Sequence, residues 1–172
     1  MLLELSKLKG LPLGIMDEGR RGGKILRALF DPEQVKIIGF LIKTESFWGQ
    51  NKIVALSDVI AIDGSGAVVN SSDDILDIRD IVRVERILKD KIKLVGLRAY
   101  DKKNNFLGYV YDGVADSQTG DLVRFYVKFL FKKYIFGRSQ VVKADNKKIV
   151  FDTDSKIINK EAEILPDAAE AF

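Results

Sequence analysis

Cysteine and histidine are both absent from this chain of 172 residues. Their absence removes disulfides, thiol nucleophiles, Ser-His triads, and thiolate or imidazole metal sites together. Only an oxygen-ligand cation site stays open in principle. No apolar run approaches the roughly 20 residues that a membrane-spanning helix needs. The opening Met1-Leu2-Leu3-Glu4-Leu5-Ser6-Lys7 lacks the basic region and apolar stretch of a signal peptide. The expectation is a cytoplasmic protein with no membrane insertion, no cofactor and no metal.

What remains is an ordinary globular composition, 47% hydrophobic and 31% charged. The net charge of +3 is unevenly spread. Residues 1–80 carry 10 Lys/Arg against 12 Asp/Glu, and residues 81–172 carry 18 against 13. The second half therefore leans towards acidic partners or nucleic acid, although such an excess is also what a solvated basic face looks like.

The chain repeats itself. Gly23-Lys24-Ile25-Leu26-Arg27-Ala28-Leu29-Phe30-Asp31 returns 85 positions later as Gly108-Tyr109-Val110-Tyr111-Asp112-Gly113-Val114-Ala115-Asp116. The same offset lays Ile37 to Lys43 onto Leu122 to Lys128. Beyond Lys128 the offset reads as 81, placing Val141 over Ile60, so that the second copy loses about four residues. The loss falls where the first copy has the loop with Phe47 and Trp48.

Within each copy the pattern is β. Leu11 to Asp17, Lys24 to Phe30, Lys36 to Lys43, Ile53 to Leu56, Val59 to Asp63 and Ala67 to Asn70 read as strands. Glu18 to Gly23 reads as a turn, Asp31-Pro32-Glu33-Gln34 as a break, and Gly64-Ser65-Gly66 as a hairpin turn. Leu97 to Tyr100, Leu107 to Ala115 and Leu122 to Lys128 follow in the second copy. Short strands joined by polar turns suggest a small barrel. Between the copies, Ser71-Ser72-Asp73-Asp74 resembles a helix start, and Ile75, Ile78, Ile81 and Val82 follow rough helical spacing. The expected fold is all-β: two tandem small barrels at 1–80 and 81–154, a short linking segment of helical spacing, and a tail at 155–172.

These residues carry a resemblance. Leu5-Ser6-Lys7-Leu8-Lys9-Gly10-Leu11-Pro12-Leu13 resembles the opening of a PRC-barrel domain. Gly23 to Asp31, Gly39-Phe40-Leu41-Ile42-Lys43 and Ile53 to Ile62 continue the likeness. The second copy matches more loosely through Lys91 to Ala99, Gly108 to Asp116 and Val123 to Lys128. The family includes the cytoplasmic domain of the photosynthetic reaction-centre H subunit and the C-terminal domain of the bacterial ribosome maturation factor. The resemblance implies a small β-barrel that binds other macromolecules. One position departs from the pattern: the acidic residue often found inside the second strand is Arg27 in copy one and Asp112 in copy two.

Two clusters stand out as candidate contacts. Phe47 and the only tryptophan, Trp48, sit on a loop, where aromatic side chains make good binding anchors. The bland reading folds them back over a barrel end or packs them between the halves. Lys132 and Lys133, with Arg138 and the aromatics Phe129, Phe131, Tyr134 and Phe136, mix charge and rings as single-stranded nucleic-acid sites do. Against that, Phe129, Phe131 and Ile135 alternate as strand core residues would. Gly19-Arg20-Arg21-Gly22-Gly23-Lys24 lacks Walker spacing and reads as a hairpin turn. The aspartates near turns, such as Asp63, Asp73 and Asp145, lack the EF-hand order. The leading expectation is a non-enzymatic protein-binding or adaptor module. The alternatives are an RNA- or ribosome-associated factor using the basic second half, and a homo-oligomeric structural protein.

Overall fold

A computed structural model of the protein describes residues 1–45 and 50–154. It is all-β, with two curled sheets. Strand β1 (Leu2–Glu4) leads into the first sheet, which comprises β2 (Pro12–Ile15), β3 (Arg20–Asp31), β4 (Lys36–Thr44), β5 (Asn51–Ala55), β6 (Val59–Asp63) and β7 (Gly66–Val69). The second sheet comprises β8 (Arg98–Asp101), β9 (Phe106–Asp116), β10 (Leu122–Phe129), β11 (Lys132–Gly137), β12 (Val141–Ala144) and β13 (Lys148–Phe151). The strand orders are β5-β4-β3-β2-β7-β6 and β11-β10-β9-β8-β13-β12, which is one topology used twice. Each sheet has a single parallel pair, β2 with β7 and β8 with β13. Each also has a 3-10 turn, Leu56–Asp58 or Arg138–Gln140, leading into its sixth-strand equivalent.

The repeat extends to backbone detail. Gly23 and Gly108 both have positive φ, and a Cβ at either would lie 2.3 or 2.2 Å from the carbonyl oxygen of Lys43 or Lys128. No other residue fits where two strands approach so closely. That closeness also explains why the reading of Glu18 to Gly23 as a turn is too long. The turn spans only Met16 to Gly19, and β3 begins at Arg20. Gly22 and Gly23 are strand residues whose missing side chains make room for Ile75 and for the Lys43 backbone.

Register corrects the later offset. Val59 pairs with Val69 as Val141 pairs with Phe151, and Lys43 pairs with Asn51 as Lys128 pairs with Lys133. Val141 therefore overlies Val59, not Ile60. The second copy is three residues shorter, all of them in the connection after β10.

The linking segment is only partly helical. Ser71 does cap, accepting from the Asp73 N–H at 3.1 Å while Asp74 accepts from the Ser71 N–H at 2.9 Å. What it caps is a three-residue 3-10 turn, Ser72–Asp74. A second 3-10 turn covers Ile78–Asp80, and the one α-helix among the described residues, α1 (Val82–Lys89), starts after it.

The halves are interlocked. Strand β1 joins the second sheet, with Leu3 opposite Ala115 on β9. Ser6, just after β1, donates to Asp112 twice, from its N–H at 3.0 Å and its hydroxyl at 2.6 Å. In the reverse direction, Arg27 of β3 donates to the Ile92 carbonyl at 3.2 Å in the segment leading into the second copy. Arg27 and Asp112 are repeat equivalents, and so are the two leading segments they hold. The β3–β4 and β9–β10 turns also meet: the Ile37 N–H donates to Gly120 at 2.8 Å and the Leu122 N–H to Val35 at 3.5 Å. Such reciprocity is the mark of an isologous contact. One buried apolar cluster runs through both halves, from Leu3 and Phe40 to Phe125 and Phe151.

Candidate functional site

The end of the second sheet carries the most unusual surface among the described residues. On β10, Leu122, Phe125 and Val127 are buried, which leaves Arg124, Tyr126 and Lys128 outward. Phe129 then pairs with Lys132 across a two-residue turn, Leu130-Phe131. This overturns the alternation expected for Phe129 and Phe131. The turn reverses the chain between them, so neither enters the core; Phe136 does so instead. Leu130 is 80% exposed and Phe131 is 101% exposed. Leu130 also sits at φ 52°, a left-handed conformation that costs a leucine about 1 kcal/mol or more and suits Gly or Asn.

An aromatic apron backs the tip. Phe106 packs edge-on against Phe129 at 5.2 Å and against Tyr109 at 5.3 Å, and lies 5.5 Å from Tyr100. Phe106, Phe129 and Tyr109 all keep substantial exposure. Three lysines flank the turn on its two strands: Lys132 and Lys133 are exposed, and Lys128 lies over the Tyr111 ring at 5.4 Å. No ion pair among the described residues engages Lys128, Lys132 or Lys133. The structure divides the expected basic trio, since Lys132 and Lys133 stand at the start of β11 and Arg138 follows its far end. Four residues of strand lie between Lys133 and Arg138 and five between Lys132 and Arg138, a separation of about 17–20 Å.

The outer edges of the two sheets differ. In the first half the Ile53 N–H donates to Leu76 at 3.0 Å and the Leu76 N–H returns to Ile53 at 2.8 Å, so the linking segment covers the β5 edge. Leu76, Ile78 and Ile81 pack there on Leu29, Leu41, Ile53 and Val84. The matching strand is β11, with Ile135 in the place of Ile53. Among the described residues nothing pairs with its outer edge. Beside Ile135 lie Tyr126 and Tyr111, with ring centroids 5.9 Å apart. Partial burial, with Tyr126 and Asp112 nearby, raises the Tyr111 hydroxyl above its ordinary pKa.

A third feature is a cleft of about 520 Å³ between α1 and the second half, lined by Asp31, Glu33, Arg83, Arg86, Ile92 and Asn146 among others. Both of its arginines are paired with carboxylates. Arg83 lies 2.5 Å from buried Asp31 and 3.2 Å from Glu33, and Arg86 lies 3.6 Å from Glu33. The Arg83–Asp31 contact is an ion pair without hydrogen-bond alignment. The turn aspartates serve the backbone: Asp63 accepts from the Ser65 N–H at 2.7 Å, and Asp145 from the Lys147 and Lys148 N–H groups at 2.8 and 2.9 Å.

Phe47 and Trp48 lie outside the described residues, in the chain between β4 and β5. Nothing local in the sequence marks Leu130 as a turn residue, because Leu-Phe is not a turn signature. The signal that could have found it is the shortened connection after β10, which leaves room for little more than a tight reversal. No helix is long and apolar enough to cross a membrane among the described residues. No family model matches the chain, and no curated protein matches it.

Proposed function

We propose that the chain is a non-enzymatic, cytoplasmic protein-binding module built from two tandem barrels of the PRC type. In this reading it takes up an extended apolar segment of a partner along the outer edge of β11. The observation that carries the reading is internal to the molecule. The first half lays Leu76 against the β5 edge through two backbone hydrogen bonds with Ile53, and the equivalent edge at Ile135 has no such cover among the described residues. Strand addition supplies affinity through main-chain pairing and selects sequence through alternate side chains. Tyr111, Tyr126 and Ile135 would receive the partner's apolar residue, as Leu29, Leu41 and Ile53 receive Leu76.

The test is photo-crosslinking in cells from a reactive residue placed at Ile135, with Ile60 on β6 as the control position, followed by hydrogen exchange on the recovered complex. Adducts to one partner polypeptide, with slowed exchange of the Ile135 amide in the complex, are expected. Adducts only to residues 155–172 of the same chain, or to a second copy, would replace the adaptor reading by self-capping or by oligomerisation.

A further inference from the structure

We propose that the β10–β11 turn is an anchor for anionic lipid surfaces: Leu130 and Phe131 enter the interfacial layer of a bilayer while Lys128, Lys132 and Lys133 contact its acidic headgroups. The anchor is separate from the β11 edge, since it uses the side chains of the tip and not the backbone of the strand.

Three observations converge. The two most protruding apolar side chains of the hairpin, 80% and 101% exposed, are adjacent and form the turn at its tip. Leu130 holds a left-handed conformation at φ 52° that asparagine or glycine would adopt more cheaply. An exposed residue that adds strain and buries nothing in its own fold points to a contact outside it. Finally, the apolar tip is collared by lysines that have no carboxylate partner among the described residues, and backed by Phe106, Phe129 and Tyr109. Aromatic rings and lysine stems suit the headgroup level, where an apolar body and a polar end are both satisfied.

The shape favours lipid over the other acidic surface, single-stranded RNA. Bases stack on ring faces that line a groove. Here the tip residue is an aliphatic leucine, and the Phe106 ring stands at 77° to both Phe129 and Tyr109, so these rings form no parallel stack. A bilayer needs no groove; it needs apolar side chains that project beyond the cations, which is the arrangement at residues 128–133. The contact is interfacial and crosses nothing.

The full chain would be sedimented with vesicles of phosphatidylcholine alone and of phosphatidylcholine mixed with phosphatidylglycerol. Binding to the mixed vesicles, weakened by salt, is expected. Each of Lys132→Gln and Lys133→Gln should weaken it roughly fivefold. The double variant Leu130→Asn, Phe131→Gly installs a favoured two-residue turn, so it should melt no lower than the parent while losing at least about tenfold in vesicle binding. No binding to the mixed vesicles, or unchanged binding by the Asn-Gly variant, would overturn the proposal. So would equal binding to the neutral vesicles, or RNA binding lost in that variant without any vesicle binding.

Discussion

Replacing Gly120 by alanine tests whether the two halves form one folding unit. Gly120 stands in the β9–β10 turn at φ 74°, and a Cβ there would lie 2.1 Å from the Ile37 carbonyl oxygen of the other half. The left-handed conformation alone costs a non-glycine residue about 1 kcal/mol. The obstacle is backbone and not a flexible side-chain end, so relief means separating the two turns. That separation breaks the Ile37-to-Gly120 hydrogen bond at 2.8 Å and disturbs the Lys36–Asp121 ion pair at 3.3 Å. Together these put the loss at about 3 kcal/mol. For a chain of this size that is a fall in Tm of about 6–12 °C. Differential scanning calorimetry should show one transition in both proteins, shifted as a whole. Gly64→Ala, where nothing lies within 4 Å of the added methyl and φ is not positive, is the control and should stay within about 0.5 kcal/mol. Two transitions, with only one moved by Gly120→Ala, would refute the shared core as the basis of cooperativity. A loss under about 1 kcal/mol would refute the steric reasoning.

Further tests follow from other contacts. Ser6→Ala removes the hydroxyl donor to Asp112 and should cost about 1 kcal/mol in urea unfolding; Asp112→Ala, which also loses the bond from the Ser6 N–H, should cost more, and should cost less in the Ser6→Ala background than in the parent. Arg83→Met strands the buried Asp31 carboxylate and should cost about 2 kcal/mol, part of which Asp31→Asn restores in the double variant, as a double-mutant cycle would record. Acid should destabilise the fold. Hydrogen bonds from the Ser65 hydroxyl, the Lys52 ammonium, the Asn105 amide and the Thr119 backbone N–H hold the carboxyls of Asp63, Asp77, Asp101 and Asp116 below their ordinary pKa. A carboxyl depressed in the folded state stabilises above its unfolded pKa of about 4 and loses that contribution as pH falls through the folded value. The Tm measured from pH 6 downward should therefore hold until about pH 4 and drop below it; a flat profile would contradict the hydrogen-bond assignments.

Much of the fold was legible because the repeat preserved what backbone geometry demands. Gly23 and Gly108 recur since nothing larger fits, and the flanking apolar residues recur since both sheets bury one face. Strand β1 was not legible. Leu2 to Glu4 is too short to show a period, and its partner on β9 lies more than a hundred residues away. The difference between Arg27 and Asp112 was visible, but its meaning needed the fold: each residue holds the opposite half's leading segment. The candidate surface was half legible. Lysines and phenylalanines around residue 130 were conspicuous, yet period-two alternation read Phe131 as core. Alternation is blind to a reversal made by Leu-Phe, which carries none of the usual turn chemistry.

The crossed bracing of the halves has a consequence for how such a molecule diverges. Two identical subunits joined in the same reciprocal way would have to change in step, every substitution appearing twice about the axis. A single chain escapes that constraint. One side of the contact can use a guanidinium and the other a carboxylate; one sheet edge can be sealed by the linking segment while the other has no such cover among the described residues. Symmetry supplies the scaffold, and its breaking makes room for a distinct task at each end.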